Sequence, residues 1–155
     1  MFKVDVPSLQ AYLDFDPRRK RDLLQLHALI AKAAPGLKRH FHAGAPKGHA
    51  GMRFKMIGYG PFHYTASSGE KVAWPVIGVA LQKNYISVYL AATRGGVPIL
   101  RFYAGRLGEK RSGGNNFSFE TFDDLDAKVL SELVAEIARI WSSDADNPVR
   151  YMRGG

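Results

Sequence analysis

The stretch from Val76 to Leu90 constrains the fold more than any other, because it specifies a complete β-hairpin together with its register. If Lys83 and Asn84 form a two-residue turn, one face of the two strands is wholly aliphatic. The aliphatic residues are Ile77, Val79, Leu81, Ile86, Val88 and Leu90. The opposite face carries Gly78, Ala80, Tyr85, Ser87 and Tyr89. A shift of one residue would mix the two sets, so we predict this register, with the core on the aliphatic side.

Helical patterns flank this hairpin on both sides. We predict a short helix at Pro7–Leu13 and a long helix at Pro17–Ala34, which begins with the favourable pair Asp16-Pro17. Apolar residues recur at helical spacing again from about Asp126 to Ser142, which predicts the last helix. A helix of about ten residues is expected after Pro98 because its apolar residues have helical spacing.

The rest of the chain has mainly the alternating pattern of strands. Alternation predicts strands at 37–42, 52–56 and 117–120, and a second hairpin at 62–65 and 70–74. The segment Gly58–Pro61 should stop or bulge the strand before it. Consecutive antiparallel strands exclude a doubly wound parallel sheet.

We therefore predict one α+β domain over residues 1–142, followed by a polar tail at 143–155 that should fray. Its sheet should be curved and antiparallel, with about five to six strands. The N- and C-terminal helices should pack on one face of this sheet.

Composition narrows the class of protein. The chain has no cysteine, which excludes disulfides, thiolate metal sites and cysteine nucleophiles. The N-terminus lacks the apolar run of a secretory signal, and no stretch approaches the roughly 18 apolar residues of a membrane span. We expect a cytoplasmic protein without a membrane partner.

The net charge of +8 is distributed unevenly. Residues 1–119 hold 18 Lys and Arg against 6 Asp and Glu, whereas residues 120–155 hold 4 against 8. Four cations, Arg18 to Arg21, occupy the first turn of a predicted helix, where the helix dipole disfavours them. An anionic partner, whether nucleic acid, a small phosphorylated molecule or an acidic protein, would suit this excess, but a solvated basic surface is the simpler explanation.

No catalytic motif stands out. The basic loop Gly108–Gly114 lacks the Gly-Lys-Ser/Thr ending of a phosphate-binding loop and follows a predicted helix instead of a strand. The nucleophile elbow, the His-Glu-x-x-His pair and the dinucleotide fingerprint are all missing from the sequence. We therefore expect a protein that is not an enzyme and needs no cofactor.

Histidines raise the question of a metal site. His40 and His42 share a face of one predicted strand, and His49 and His63 follow along the chain. No carboxylate lies at ligand spacing, and neighbouring cations would oppose a divalent ion. We expect surface histidines and no metal.

The outer face of the sheet, opposite the predicted core, is the remaining candidate site. Aromatic rings and basic groups should alternate there, which suits single-stranded nucleic acid or an anionic aromatic ligand. The expected ligand-binding residues are Tyr85, Tyr89, Arg53, Lys55, His40 and His42. Tyrosines that lie across from glycine are also an ordinary packing device in sheets, so structural packing stays open as an explanation.

Several segments together resemble one known family. They are the helix end Leu29–Gly36, the Gly44-Ala45-Pro46 break, the hairpin segment Ala80–Tyr89, Phe117-Ser118-Phe119 and Asp124-Leu125-Asp126 with Leu130. From about Pro7 to Trp141 the chain resembles the YdhG-like family, also called domain of unknown function 1801. The resemblance implies a frataxin-like α+β sandwich.

Some members of this family are called iron chaperones, so the resemblance also implies iron carriage as an alternative function. An iron site of the frataxin type needs an acidic first helix and edge strand. The helix predicted at Pro17–Ala34 carries Asp22 as its single carboxylate among five Lys and Arg. The sequence therefore favours a binding module for an anionic ligand over an iron chaperone, and a protein–protein interaction domain is the third hypothesis.

Overall fold

A six-stranded antiparallel sheet forms the centre of the computed structural model, which describes residues 2–142. In spatial order its strands are β1 (Arg39–His42), β2 (Met56–Thr65), β3 (Lys71–Leu81), β4 (Ile86–Leu90), β8 (Asn116–Phe119) and β7 (Arg111–Ser112). Two further strands, β5 (Thr93–Arg94) and β6 (Val97–Pro98), form a separate two-stranded sheet. The predicted α+β class is confirmed. The tail predicted at 143–155 lies outside the described residues.

The central hairpin, β3 and β4, has the register that the sequence predicts. Pairing runs from Ile77 opposite Leu90 to Leu81 opposite Ile86. The N–H of Gln82 donates to the carbonyl oxygen of Tyr85 at 2.9 Å, which closes the turn around Lys83 and Asn84. The second predicted hairpin, between β2 and β3, is also present, with Phe62 opposite Trp74 and Thr65 opposite Lys71.

Three α-helices form where the sequence predicts them, with small shifts at their ends. They are α1 (Leu9–Asp14), α2 (Pro17–Ala33) and α3 (Ala127–Trp141). Aspartates begin both long helices: Asp16 accepts a hydrogen bond from the N–H of Arg18, and Asp126 accepts one from that of Val129, both at 3.1 Å. No helix within residues 2–142 has the length and apolar character needed to cross a membrane.

The main core lies between α2, α3 and one face of the sheet. All six aliphatic residues of the central hairpin belong to it, and so do four residues of α2 and α3. These helix residues are Leu26, Ile30, Leu133 and Ile137. Burial of such a continuous apolar set, at roughly 25 cal/mol per Å², is the main force that holds helices and sheet together.

The predicted strand at 52–56 is wrong, because β2 begins only at Met56. Residues 43–55 form a loop whose two arms join where the N–H of Ala45 donates to the carbonyl of Met52 at 2.8 Å. Beside this loop, the N–H of Leu81 donates to the hydroxyl of Tyr12 at 2.8 Å. At the end of β3, the backbone N–H of Leu81 is thus hydrogen-bonded to a side chain of α1 and not to residues 52–55.

Two further predictions are wrong. The strand does not end at Gly58–Pro61, because Gly60, at a φ of 75°, keeps the same register on both sides. The helix expected after Pro98 is reduced to a 3-10 helix at Ile99–Phe102. The carboxylate of Glu109 accepts hydrogen bonds from the N–H groups of Gly105 and Leu107, which holds the following turns in a non-helical form.

Candidate functional site

One row of paired residues crosses the outer face of the sheet. From β1 to β8 it consists of His40, Gly58, Gly78, Tyr89 and Asn116. Directly paired residues share a face, so the two glycines lie between a histidine and a tyrosine. The row brings together three of the residues predicted to face outward, namely Gly78, His40 and Tyr89.

The two glycines allow neighbouring side chains to lie directly on the sheet. A Cβ at Gly58 would come within 2.5 Å of the His40 ring, and one at Gly78 within 2.5 Å of the Met56 sulfur. Pro75 would be 2.9 Å from the first of these added atoms. The centre of the outer face is therefore filled by His40, Met56 and Pro75.

Beside this centre lies an aromatic cluster formed by Phe54, Trp74 and Tyr89. The Phe54 ring is 5.7 Å from that of Tyr89 and 6.2 Å from that of Trp74, measured between centroids. Trp74 and Tyr89 meet edge to face at 6.4 Å. Phe54 comes from the 43–55 loop, so this loop covers part of the outer face. The sequence predicts that this face is accessible.

His42 lies under the aromatic cluster. Its ring meets the Trp74 ring edge to face at 5.4 Å, and 5% of the residue is exposed. Burial lowers its pKa to about 4, with a smaller contribution from the neighbouring His40. His42 is therefore neutral at pH 7. Its Nε2 atom has no hydrogen-bond partner within residues 2–142.

Two tyrosines, Tyr85 and Tyr89, are partly accessible on this face. Tyr85 and Tyr89 are both half-buried; Tyr89 lies on β4, and Tyr85 immediately precedes this strand, with Ser87 between them. At about 3.3 Å per residue, their Cα atoms are separated by roughly 13 Å. Burial raises the pKa of Tyr89, so its hydroxyl stays protonated at neutral pH.

The two basic residues Arg53 and Lys55 do not lie on a strand, contrary to the prediction. Arg53 is exposed on the 43–55 loop, next in sequence to Phe54. Lys55 lies on the same loop, and its Nζ contacts Asp5 at 2.6 Å. Arg53 has no ion-pair partner in the described part of the chain, so its charge remains available on this loop.

A further cation on the outer face, Arg111, is not predicted as a site residue from the sequence. Arg111 of β7 pairs with Ser118, which pairs with Ser87 of β4. This pairing places exposed Arg111 on the same face as the two tyrosines. The two-residue strand β7 lies in a segment that reads as a glycine-rich loop, so alternation gave no signal for it.

The small residues of the outer face are less accessible than expected. Ala80 is 2% exposed and Ser87 is 4% exposed, because larger neighbouring side chains cover them. A charge at Ser87 would therefore be buried almost as deeply as one at Val88 on the core face, which is 2% exposed. The expectation that only one side of the central hairpin is buried is thus wrong.

The basic first turn of α2 has a structural explanation. Arg18 pairs with Asp16 at 3.0 Å, and Lys20 pairs with Asp14 at 2.5 Å. Arg19 donates to the backbone carbonyl of Asn84 at 2.9 Å and to that of Glu120, so it joins α2 to the hairpin turn and to the end of β8. These contacts offset the unfavourable helix dipole without any ligand.

The remaining histidines lie apart from the aromatic cluster in sequence and in their contacts. His27 Nδ1 lies 3.0 Å from the Tyr59 hydroxyl, while His49 contacts Glu70 at 3.0 Å and His63 is exposed on β2. Residues 2–142 contain no group of three His, Cys, Asp or Glu side chains placed to hold a metal ion.

Comparison of the chain with family models, with curated proteins and with solved structures gave no match. The site is therefore interpreted from its own geometry and charge.

Proposed function

We propose that the protein is a non-enzymatic binding protein whose outer sheet face holds an anionic ligand with planar rings. Single-stranded nucleic acid is the class that suits this surface best. The observation that carries the proposal is the half-buried Tyr89 ring, which packs against Phe54, the residue next in sequence to Arg53. Arg53 is exposed and has no ion-pair partner within residues 2–142.

The chemistry of such a ligand matches each part of the surface. A base can stack on Tyr89 or Tyr85, and base–aromatic stacking contributes roughly 1–3 kcal/mol per base. Phosphates can contact Arg53, which is exposed on the 43–55 loop, and Arg111, which is exposed on the edge strand β7. The separation of the two tyrosines, roughly 13 Å at about 3.3 Å per strand residue, leaves room for two separate bases.

The two alternative functions receive less support. Iron carriage would need a set of metal ligands, and Asp22, the one carboxylate of α2, already accepts a hydrogen bond from the N–H of Phe122 at 2.9 Å. A domain that only binds other proteins would not need cations that lack ion-pair partners within residues 2–142 on the same face as an aromatic cluster. The cytoplasmic location expected from the sequence is part of the proposal, since nucleic acid is abundant there.

Binding of a fluorescently labelled short oligothymidylate, followed by anisotropy, tests the proposal. We expect saturable binding that weakens as salt rises from about 50 to about 200 mM, because phosphate contacts release counterions. Arg53→Glu should lower the affinity about tenfold and make the salt dependence shallower. Tyr85→Leu should also weaken binding, because it removes a stacking ring from a half-buried position.

Lys128→Glu is the matched control. Lys128 is exposed on α3, which packs against the other face of the sheet, and its replacement changes the net charge by the same amount as Arg53→Glu. The control should keep nearly the wild-type affinity. If both variants lose binding equally, the interaction is a general effect of net charge, and the proposed site is wrong.

A further inference from the structure

A shallow depression of about 480 Å³ lies on another part of the molecule, between β5 and the last turns of α3. Its lining consists of Thr93, Arg94, Glu136, Arg139 and Ile140. None of these residues belongs to the outer-face site, so the inference drawn from them is independent of the proposed function.

Arg94 is held rigidly at this depression. Its Nε and Nη2 atoms donate to the two carboxylate oxygens of Glu136 at 2.7 and 2.6 Å. The guanidinium also lies 4.0 Å above the centre of the Phe102 ring. Neither hydrogen bond to Glu136 uses the Nη1 protons of Arg94, and these protons have no acceptor among residues 2–142.

Glu136 is fully engaged within the same cluster. The hydroxyl of Tyr103 donates to its Oε1 atom at 2.6 Å, in addition to the two bonds from Arg94. Hydrogen bonds from Arg94 hold the pKa of Glu136 below its usual value, while burial is the main cause that raises the pKa of Tyr103 to about 12. At neutral pH Glu136 is therefore charged and Tyr103 is neutral.

Arg139 supplies a second cation at the rim. It lies one turn after Glu136 on α3 and is exposed, and it has no ion-pair partner within the described residues. The lining thus carries two guanidinium groups and one carboxylate, so it has one excess positive charge. The net positive charge of the lining attracts an anion.

We propose that this depression binds a carboxylate attached to an apolar group. The two oxygens of a carboxylate match the planar donors of Arg94 and Arg139, and the hydroxyl of Thr93 lies in the same lining. Ile140, which is 9% exposed, offers an apolar wall for the rest of the ligand. The carboxylate can belong to a free aliphatic acid or to the C-terminus of a peptide, and these sources share one chemistry.

NMR titration of the whole protein tests this proposal with three probes: isobutyrate, a short peptide ending in valine, and the same peptide with an amidated C-terminus. Isobutyrate should give saturable shifts at Thr93, Ile140 and the side-chain Nε–H of Arg94. Tighter binding of the free peptide than of isobutyrate would identify a C-terminus as the source. Equal or weaker binding of the free peptide would identify a free acid. The amidated peptide should not bind.

Arg139→Gln should weaken isobutyrate binding about tenfold, because it removes one charged contact from an exposed position where folding is not at risk. Arg101→Gln is the matched control, since Arg101 is exposed but lies outside the lining. Absence of saturable shifts, equal binding by the Arg139 variant, or tighter binding of inorganic phosphate than of isobutyrate would each overturn the proposal.

Discussion

At the scale of single residues, His42 shows that sequence alternation can predict the face of a side chain but not its burial. Alternation places it correctly on the outer face with His40, since the two pair with Met56 and Gly58. The same pattern gives no indication that His42 is buried against Trp74. That contact depends on the 43–55 loop and on the β2–β3 hairpin, which come from other parts of the sequence.

The burial of His42 predicts a pH dependence of stability. Its pKa falls from the ordinary value of 6.5 to about 4 in the folded protein, so between these values the unfolded state binds more protons. The free energy of unfolding should therefore decrease by about 2–3 kcal/mol as the pH falls through this interval. Urea denaturation across the interval measures this decrease.

His42→Phe is the comparison for that measurement, because phenylalanine keeps a ring against Trp74 but cannot be protonated. Its stability should fall less than that of the wild type between pH 6.5 and about 4. His27, whose pKa burial also lowers, titrates in both proteins and cancels in the difference. Parallel pH profiles for the two proteins would show that His42 is not buried in this way.

At the scale of elements, strongly periodic segments are predicted correctly from the sequence. A segment whose structure depends on a distant contact is not. The central hairpin and the two long helices follow from alternation, apolar stripes and capping aspartates. The segment 52–55 also alternates, yet it forms a loop arm because Tyr12 occupies the hydrogen-bonding position at the end of β3. A contact that distant in sequence cannot be seen in a local pattern.

The packing of the two arms of the 43–55 loop can be tested by substitution of two glycines that have similar backbone conformations. Gly44 and Gly48 have φ values of 81° and 85°, so alanine is strained at both. An added Cβ at Gly44 would lie 2.6 Å from the carbonyl oxygen of Arg53, whereas one at Gly48 has nothing within 4 Å. Thermal denaturation should show Gly44→Ala to be less stable than Gly48→Ala by about 1–3 kcal/mol.

The added methyl group of Gly44→Ala should force the two arms of the loop apart, displace Phe54 and so reduce oligonucleotide binding. Gly48→Ala should retain that binding, since its loop position is open. Equal stability of the two variants would show that the arms of the loop do not pack as described, and that Phe54 is not held over Tyr89 by them.

At the scale of the whole molecule, the sequence predicts helices packed on one face of a single sheet. In the structure, side chains also partly cover the outer face of this sheet. The α+β class, the single central sheet and the helices follow from the order of the predicted elements. The cover over the outer face does not, because Phe54 and Met56 come from a segment whose alternation suggests a strand. The surface proposed to bind nucleic acid is therefore smaller and more aromatic than the sequence alone indicates.

NMR mapping of oligothymidylate on the whole protein is the most direct test of the central claim, that the outer face binds an anionic ligand with planar rings. We predict that the shifts with the largest amplitude occur at Tyr85, Tyr89 and Phe54, and at the backbone of Arg53 and Arg111. The helices α2 and α3 should change little, since they cover the opposite face. Shifts confined to the helices, or no saturable shifts at low salt, would contradict the claim.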